Sequence, residues 1–158
     1  MSNTQSMCTS FMGELMTATH NFGVAPIRAV TTVDTFKAAL YLTSATINAA
    51  TTVYTVTGEV SGTNYSAGGV TVTTATPPTA TNSSATAGVA FFTPSASITY
   101  TTITLSTAFD TVLLYNSTQS NKAVSVHTFG SQTITAGTFT LTMPTNNTST
   151  ALLRLATT

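Results

Sequence analysis

The sequence predicts an all-β protein: an antiparallel β-sandwich, jelly-roll-like or immunoglobulin-like, with a short N-terminal helix. Three observations predict it. From Thr35 onward, β-branched and aromatic residues alternate with small hydroxyl residues at a period of two, turn residues recur at short spacing, and one stretch alone follows the helical period. Seven or more short strands of this kind must close into a sandwich or barrel to bury one face each. A chain of 158 residues can bury a core of its own. Residues 1–158 are therefore read as a single β domain, with 1–25 as an N-terminal helix or arm and 73–88 as a projecting loop or hairpin.

The helix is expected over residues 9–18, where Phe11 and Leu15 fall one turn apart, Met12 and Met16 make a second such pair, and Ser10 can cap the start. Gly13 in its second turn weakens it by about 1 kcal/mol relative to Ala, so it needs a surface to dock on. Strands are expected at residues 35–42, 53–57, 70–74, 89–92, 98–105, 112–115, 123–129, 138–143 and 152–155. The clearest alternation is Thr138-Phe139-Thr140-Leu141-Thr142-Met143: Phe139, Leu141 and Met143 should face the core and the threonines should face outward. Between Tyr100 and Ile103 the apolar phase slips by one residue, as a β-bulge requires. Val112-Leu113-Leu114-Tyr115 is apolar on both faces, the mark of a covered central strand. Gly68-Gly69 reads as a turn leading into a strand. Pro77-Pro78 cannot continue a ladder and Asn82-Ser83-Ser84 offers a turn, which makes this region a projecting tip. The likeness of residues 36–41 (FKAALY) to residues 109–115 (FDTVLLY) suggests two related halves of a sandwich.

Charge is scarce. Four Lys or Arg and four Asp or Glu leave a formal net charge of zero, whereas Thr alone supplies a quarter of the chain. Binding to nucleic acid needs several phosphates neutralised by Lys or Arg, so no nucleic-acid partner is expected. Cys8 is the single cysteine, which excludes an intrachain disulfide and a cysteine metal cluster. No basic leader and no long apolar span occur, so the chain reads as made in a cytoplasm and no membrane partner is expected.

Chemistry near neutrality would fall to His20, His127, Glu14, Glu59, Asp34 and Asp110, and none lies in a local acid–base motif. G-x-S-x-G, metal-ligand spacing and phosphate-cradling glycines are all missing. No enzyme activity, metal or cofactor is expected. His127 is out of phase with Val124 and Val126, which places it on the less buried face of its strand.

Several segments resemble a group of small virion structural proteins of tailed bacteriophages. They are Phe36-Lys37-Ala38-Ala39-Leu40-Tyr41 with Thr43-Ser44-Ala45, Glu59-Val60-Ser61-Gly62 with Tyr65 and Gly68-Gly69, and Leu114-Tyr115-Asn116-Ser117. Met7-Cys8-Thr9-Ser10-Phe11, Glu14-Leu15 and His20-Asn21-Phe22 resemble the same group's opening. The resemblance implies a capsid decoration (cement) protein that binds the major capsid protein or other virion proteins, made in a host cytoplasm and located in the virion. A neck or tail component, including a receptor- or glycan-binding module that stacks sugars on Tyr65, Tyr100 and Tyr115, is the alternative. Neutral, Thr-rich strands can meet a neighbour without burying charge, and a homo-oligomer is expected. The partner contacts are expected at Phe11, Met12, Leu15 and Met16 and at a tip of Pro77, Pro78 and Asn82. If the first segment is the anchor, removing residues 1–18 should abolish particle association and leave the β fold.

Overall fold

The computed structural model describes residues 3–8, 10–11, 15, 19–20, 22, 33–81 and 88–156. Among them eight strands form: β1 (Ser6–Met7), β2 (Phe36–Leu42), β3 (Val70–Val72), β4 (Thr79–Ala80), β5 (Val89–Phe92), β6 (Ile98–Asn116), β7 (Lys122–Leu141) and β8 (Leu153–Ala156). They make two antiparallel sheets, one of five strands in the order β1-β7-β6-β2-β3 and one of three in the order β4-β5-β8. The all-β sandwich expected from the alternation is thus present. Of the residues expected to be helical, Ser10, Phe11 and Leu15 are described and are helical; the others lie outside the described residues.

β6 is the spine. Its Val112, Leu113, Leu114 and Tyr115 lie between β2 on one side and β7 on the other, all buried, as a run apolar on both faces requires. The phase slip is a real irregularity: the register shifts between Tyr100 and Ile103, and Thr102 adopts φ 52°. The extra residue returns both Tyr100 and Ile103 to the core.

Further register shifts follow between Ile103 and Leu105 and between Leu105 and Phe109, opposite Ala136 at φ 45° on β7. These irregularities bend the β6–β7 hairpin back on itself. Phe129 and Phe139 would lie roughly 33 Å apart on a straight strand, yet their ring centroids are 5.2 Å apart, and both rings pack on Phe109. Residues 98–105 and 112–115 are accordingly one strand, as are 123–129 and 138–141. Phe139, Leu141 and Met143 pack on the core and Thr138, Thr140 and Thr142 are exposed, in the expected alternation.

Three expectations change. Residues 53–57 form no strand; Val53 makes an isolated bridge to Lys122, and Val53 and Val56 stay exposed because no sheet covers them. The tip is partly ordered into the sheet: Thr79–Ala80 pairs with β5, while Asn82 lies outside the described residues. The two similar segments are neighbours in one sheet, with Phe36 opposite Asn116 and Leu42 opposite Phe109, rather than the centres of two halves.

The N-terminal residues belong to the body of the domain. β1 pairs with Ser125 and Val126 of β7, the Cys8 N–H donates to the Val124 carbonyl, and Cys8 and Phe11 are buried. Phe22 stacks on Phe36 of β2 at 4.3 Å and meets Phe92 of β5 at 4.9 Å, so this segment ties the two sheets together.

Candidate functional site

Of the contact residues expected from the sequence, Phe11, Leu15 and Pro78 line one surface. Leu15 and Pro78, far apart in the chain, line the same apolar groove of about 100 Å³ together with Phe91, Leu153 and Leu155. Pro77 and Pro78 are exposed, and Leu155 keeps 44 % of its surface in solvent. Phe11 forms the floor: at 2 % exposure it supports the groove and offers little surface to a partner. Met12, Met16 and Asn82 lie outside the described residues. Among the described residues Arg154 is the one charged residue on the groove's lining.

On the other side of β8 is a second feature, around His127. The Ser125 Oγ and His127 Nε2 are 2.9 Å apart, two residues along one strand and therefore on the same side. Both border a cavity of about 330 Å³ that runs past Gln5, Ser6 and Arg154, and His127 also borders one of about 220 Å³ walled by Phe129, Leu141 and Met143. Burial lowers the His127 pKa from 6.5 to about 4, so the ring is neutral at pH 7. The pair has the atoms of a nucleophile and a base, but Asp110, the carboxylate on the neighbouring strand, is bonded to Asn3 and Thr111. Among the described residues no acid, base and nucleophile meet in one array.

This lowered pKa carries a stability consequence. In the unfolded chain His127 takes up its proton near pH 6.5, whereas the folded protein resists protonation until about pH 4. Stability supplied by the neutral, buried ring is therefore present above pH 6.5 and is lost as pH falls toward 4. We expect acidification across that window to cost the native protein about 2 kcal/mol more than it costs His127→Gln. Urea melts of both proteins at the two ends of the window measure it; parallel losses would show that the ring does not titrate in this way.

The third feature is a cluster of all five tyrosines around Glu59. The Glu59 carboxylate accepts from the Tyr54 hydroxyl at 2.6 Å, the Tyr65 hydroxyl at 2.8 Å and the Gly68 N–H at 2.7 Å. Tyr65 in turn accepts from the Leu40 N–H, and Tyr41, Tyr100 and Tyr115 donate to the carbonyls of Thr55, Ala38 and Gly68. Burial pushes the Tyr115 hydroxyl up to about 12 and the other four higher still, so all five remain protonated donors. Tyr54 stacks on Tyr115 and Tyr65 on Tyr100. The rings face one another and the strands. Tyr100 and Tyr115 are each 2 % exposed, so the sugar-stacking platform expected of Tyr65, Tyr100 and Tyr115 is not formed.

His20 is likewise structural in its placement: it packs edge-on against Phe11, and its Nδ1 lies 3.1 Å from the Asn116 amide, which also donates to Asp34. Among the described residues no group of three or more His, Cys, Asp or Glu is placed to hold a metal ion. No known protein family, curated protein or solved structure matches the chain.

Proposed function

We propose that this protein is a non-enzymatic virion structural protein, a decoration protein that binds the outer shell of a bacteriophage capsid through the groove between Leu15, Pro78 and Leu155. The observation that carries the reading is the convergence of two sequence-distant segments on one exposed apolar surface in a chain with almost no charge. Such a surface is desolvated at little cost, and a symmetric shell repeats the contact many times. The buried tyrosines remove the aromatic basis for a glycan-binding module, so a neck or tail position without sugar recognition is the remaining alternative.

Quantitative mass spectrometry of purified particles tests the reading. One copy per shell subunit, or one per few, is expected; about six to twelve per particle would move the protein to the neck or tail, where rings of that order sit. Its absence from particles would overturn the virion role. The groove is tested by Leu155→Glu rather than by removal of residues 1–18, because that deletion takes β1, Cys8 and Phe11 out of the fold. Leu155→Glu changes an exposed side chain and should alter stability by no more than about 0.5 kcal/mol, while cutting particle occupancy about tenfold.

A further inference from the structure

The cavities of about 330 Å³ and about 220 Å³ beside His127 share Gln5, His127 and Leu152 in their linings, so they adjoin at the imidazole. Their chemistry differs. The smaller is walled by Val112, Leu114, Phe129, Leu141 and Met143, the first two buried on the central strand β6. The larger is bordered by Ser6, Ser125 and Arg154. Among the described residues Arg154 is the only charged side chain on either lining; it is exposed and makes no hydrogen bond or ion pair with them. An apolar pocket with a few convergent polar groups is the form that small-molecule sites take.

We propose that the two cavities form one binding site for a medium-chain carboxylic acid, its tail against Leu114, Phe129 and Leu141 and its carboxylate beside Arg154. A planar guanidinium favours a carboxylate over a neutral acceptor, and an amine of the same length would meet Arg154 as a like charge. At about 30 Å³ per water-sized group, the cavity of about 220 Å³ takes roughly seven carbons, the tail of octanoate. The head group is within reach of that tail. Leu152, which borders both cavities, and Arg154 are two residues apart, the spacing that places side chains on one side of an extended chain roughly 7 Å apart. At the junction the His127 ring is fixed by the Ser125 Oγ at 2.9 Å and is neutral at pH 7, so the tail meets no second charge.

The inference goes beyond the contact reading above and can fail separately from it. Pro78 and Leu155 border the groove and neither of these cavities.

Calorimetric titration of octanoate into the full chain tests the site. Octanoate should bind about fivefold more tightly than octanol, the worth of one exposed ion pair. Butyrate should bind at least about a hundredfold more weakly than octanoate, since each buried methylene contributes a factor of about four. Arg154→Gln should remove the preference for the acid and leave octanol binding unchanged. Leu141→Trp or, where that variant misfolds, Met143→Phe should weaken both ligands about tenfold by filling the cavity. Absence of binding, equal affinity of the native protein for octanoate and octanol, or affinities unchanged in the cavity-filling variants would overturn the site. So would loss of octanoate binding in Leu155→Glu, since the ligand would then lie in the groove. Octanoate binding by a protein absent from particles would keep the site and reject the virion role.

Discussion

Gly69→Ala is expected to cost at least about 4 kcal/mol and to leave much of the protein unfolded at 37 °C. Gly69 sits at φ 70°, and a Cβ there would lie 1.6 Å from the Ala38 carbonyl oxygen and 2.8 Å from the Ala39 Cα. Both obstacles are backbone of the central strand β2, so no side chain can swing aside to make room. Relief would require β3 to withdraw from β2, breaking the pairing of Phe36, Lys37 and Ala38 with Val72, Thr71 and Val70 and uncovering Val72. Gly130→Ala is the control. Its added Cβ would meet nothing nearer than the Gln132 side chain at 4.0 Å, and its φ is ordinary, so it should fall within about 1 kcal/mol of the native protein. Thermal melts of the two variants side by side decide the matter: equal midpoints would mean that close approach at Gly69 does not constrain the sheet.

Glu59→Ala is expected to cost about 3 kcal/mol, a fall in melting midpoint of about 10 °C for a chain of this size. Removing the carboxylate deprives two tyrosine hydroxyls and the Gly68 N–H of their common acceptor. Tyr54 can turn toward water. Tyr65 is held by the Leu40 N–H and by stacking on Tyr100, and Gly68 is fixed by the Tyr115 hydroxyl on its carbonyl. Unsatisfied donors inside the fold are what make the loss large. Glu59→Gln keeps one acceptor oxygen and should recover about half of it. Should Glu59→Ala melt with the native protein, the cluster would have to be held by ring packing alone.

These two sites differ in how far the sequence announces them. Gly68-Gly69 before an alternating run reads as a turn into a strand, and both glycines do adopt positive φ ahead of β3. The Tyr–Glu59 cluster has no such signal. Tyr41, Tyr54, Tyr65, Tyr100 and Tyr115 are scattered over the chain, and each alone looks like a strand residue with one polar atom. Their shared acceptor emerges only when residues 54–68 are laid beside β2 and β6. Residues 53–57 mislead for the opposite reason: Thr bias creates alternation by itself, and Val56, 68 % exposed, shows that alternation without a covering layer makes no strand.

The candidate contact surface divides in the same way. Pro77 and Pro78 are legible as an exposed tip, because proline cannot donate to a ladder. Phe11 is legible as an anchor of some kind; its burial against His20 and Phe22 decides that it anchors this domain's own core. Leu155 and Arg154 give no sign of their place beside Leu15 or His127, since nothing local relates the last strand to the first.

By itself, then, the sequence determined the fold class, most strand positions, the bulge between Tyr100 and Ile103 and the buried character of residues 112–115. Each of these is a property of neighbouring residues, set by the period at which apolar side chains recur and by the φ that Gly and Pro allow. Only the tertiary structure decided that β6 and β7 are single bent strands, that five tyrosines meet one glutamate, and that Leu15 and Pro78 line one groove. Those outcomes depend on which faces and edges meet after the chain has turned back on itself, and contacts between residues a hundred positions apart leave no mark on local periodicity.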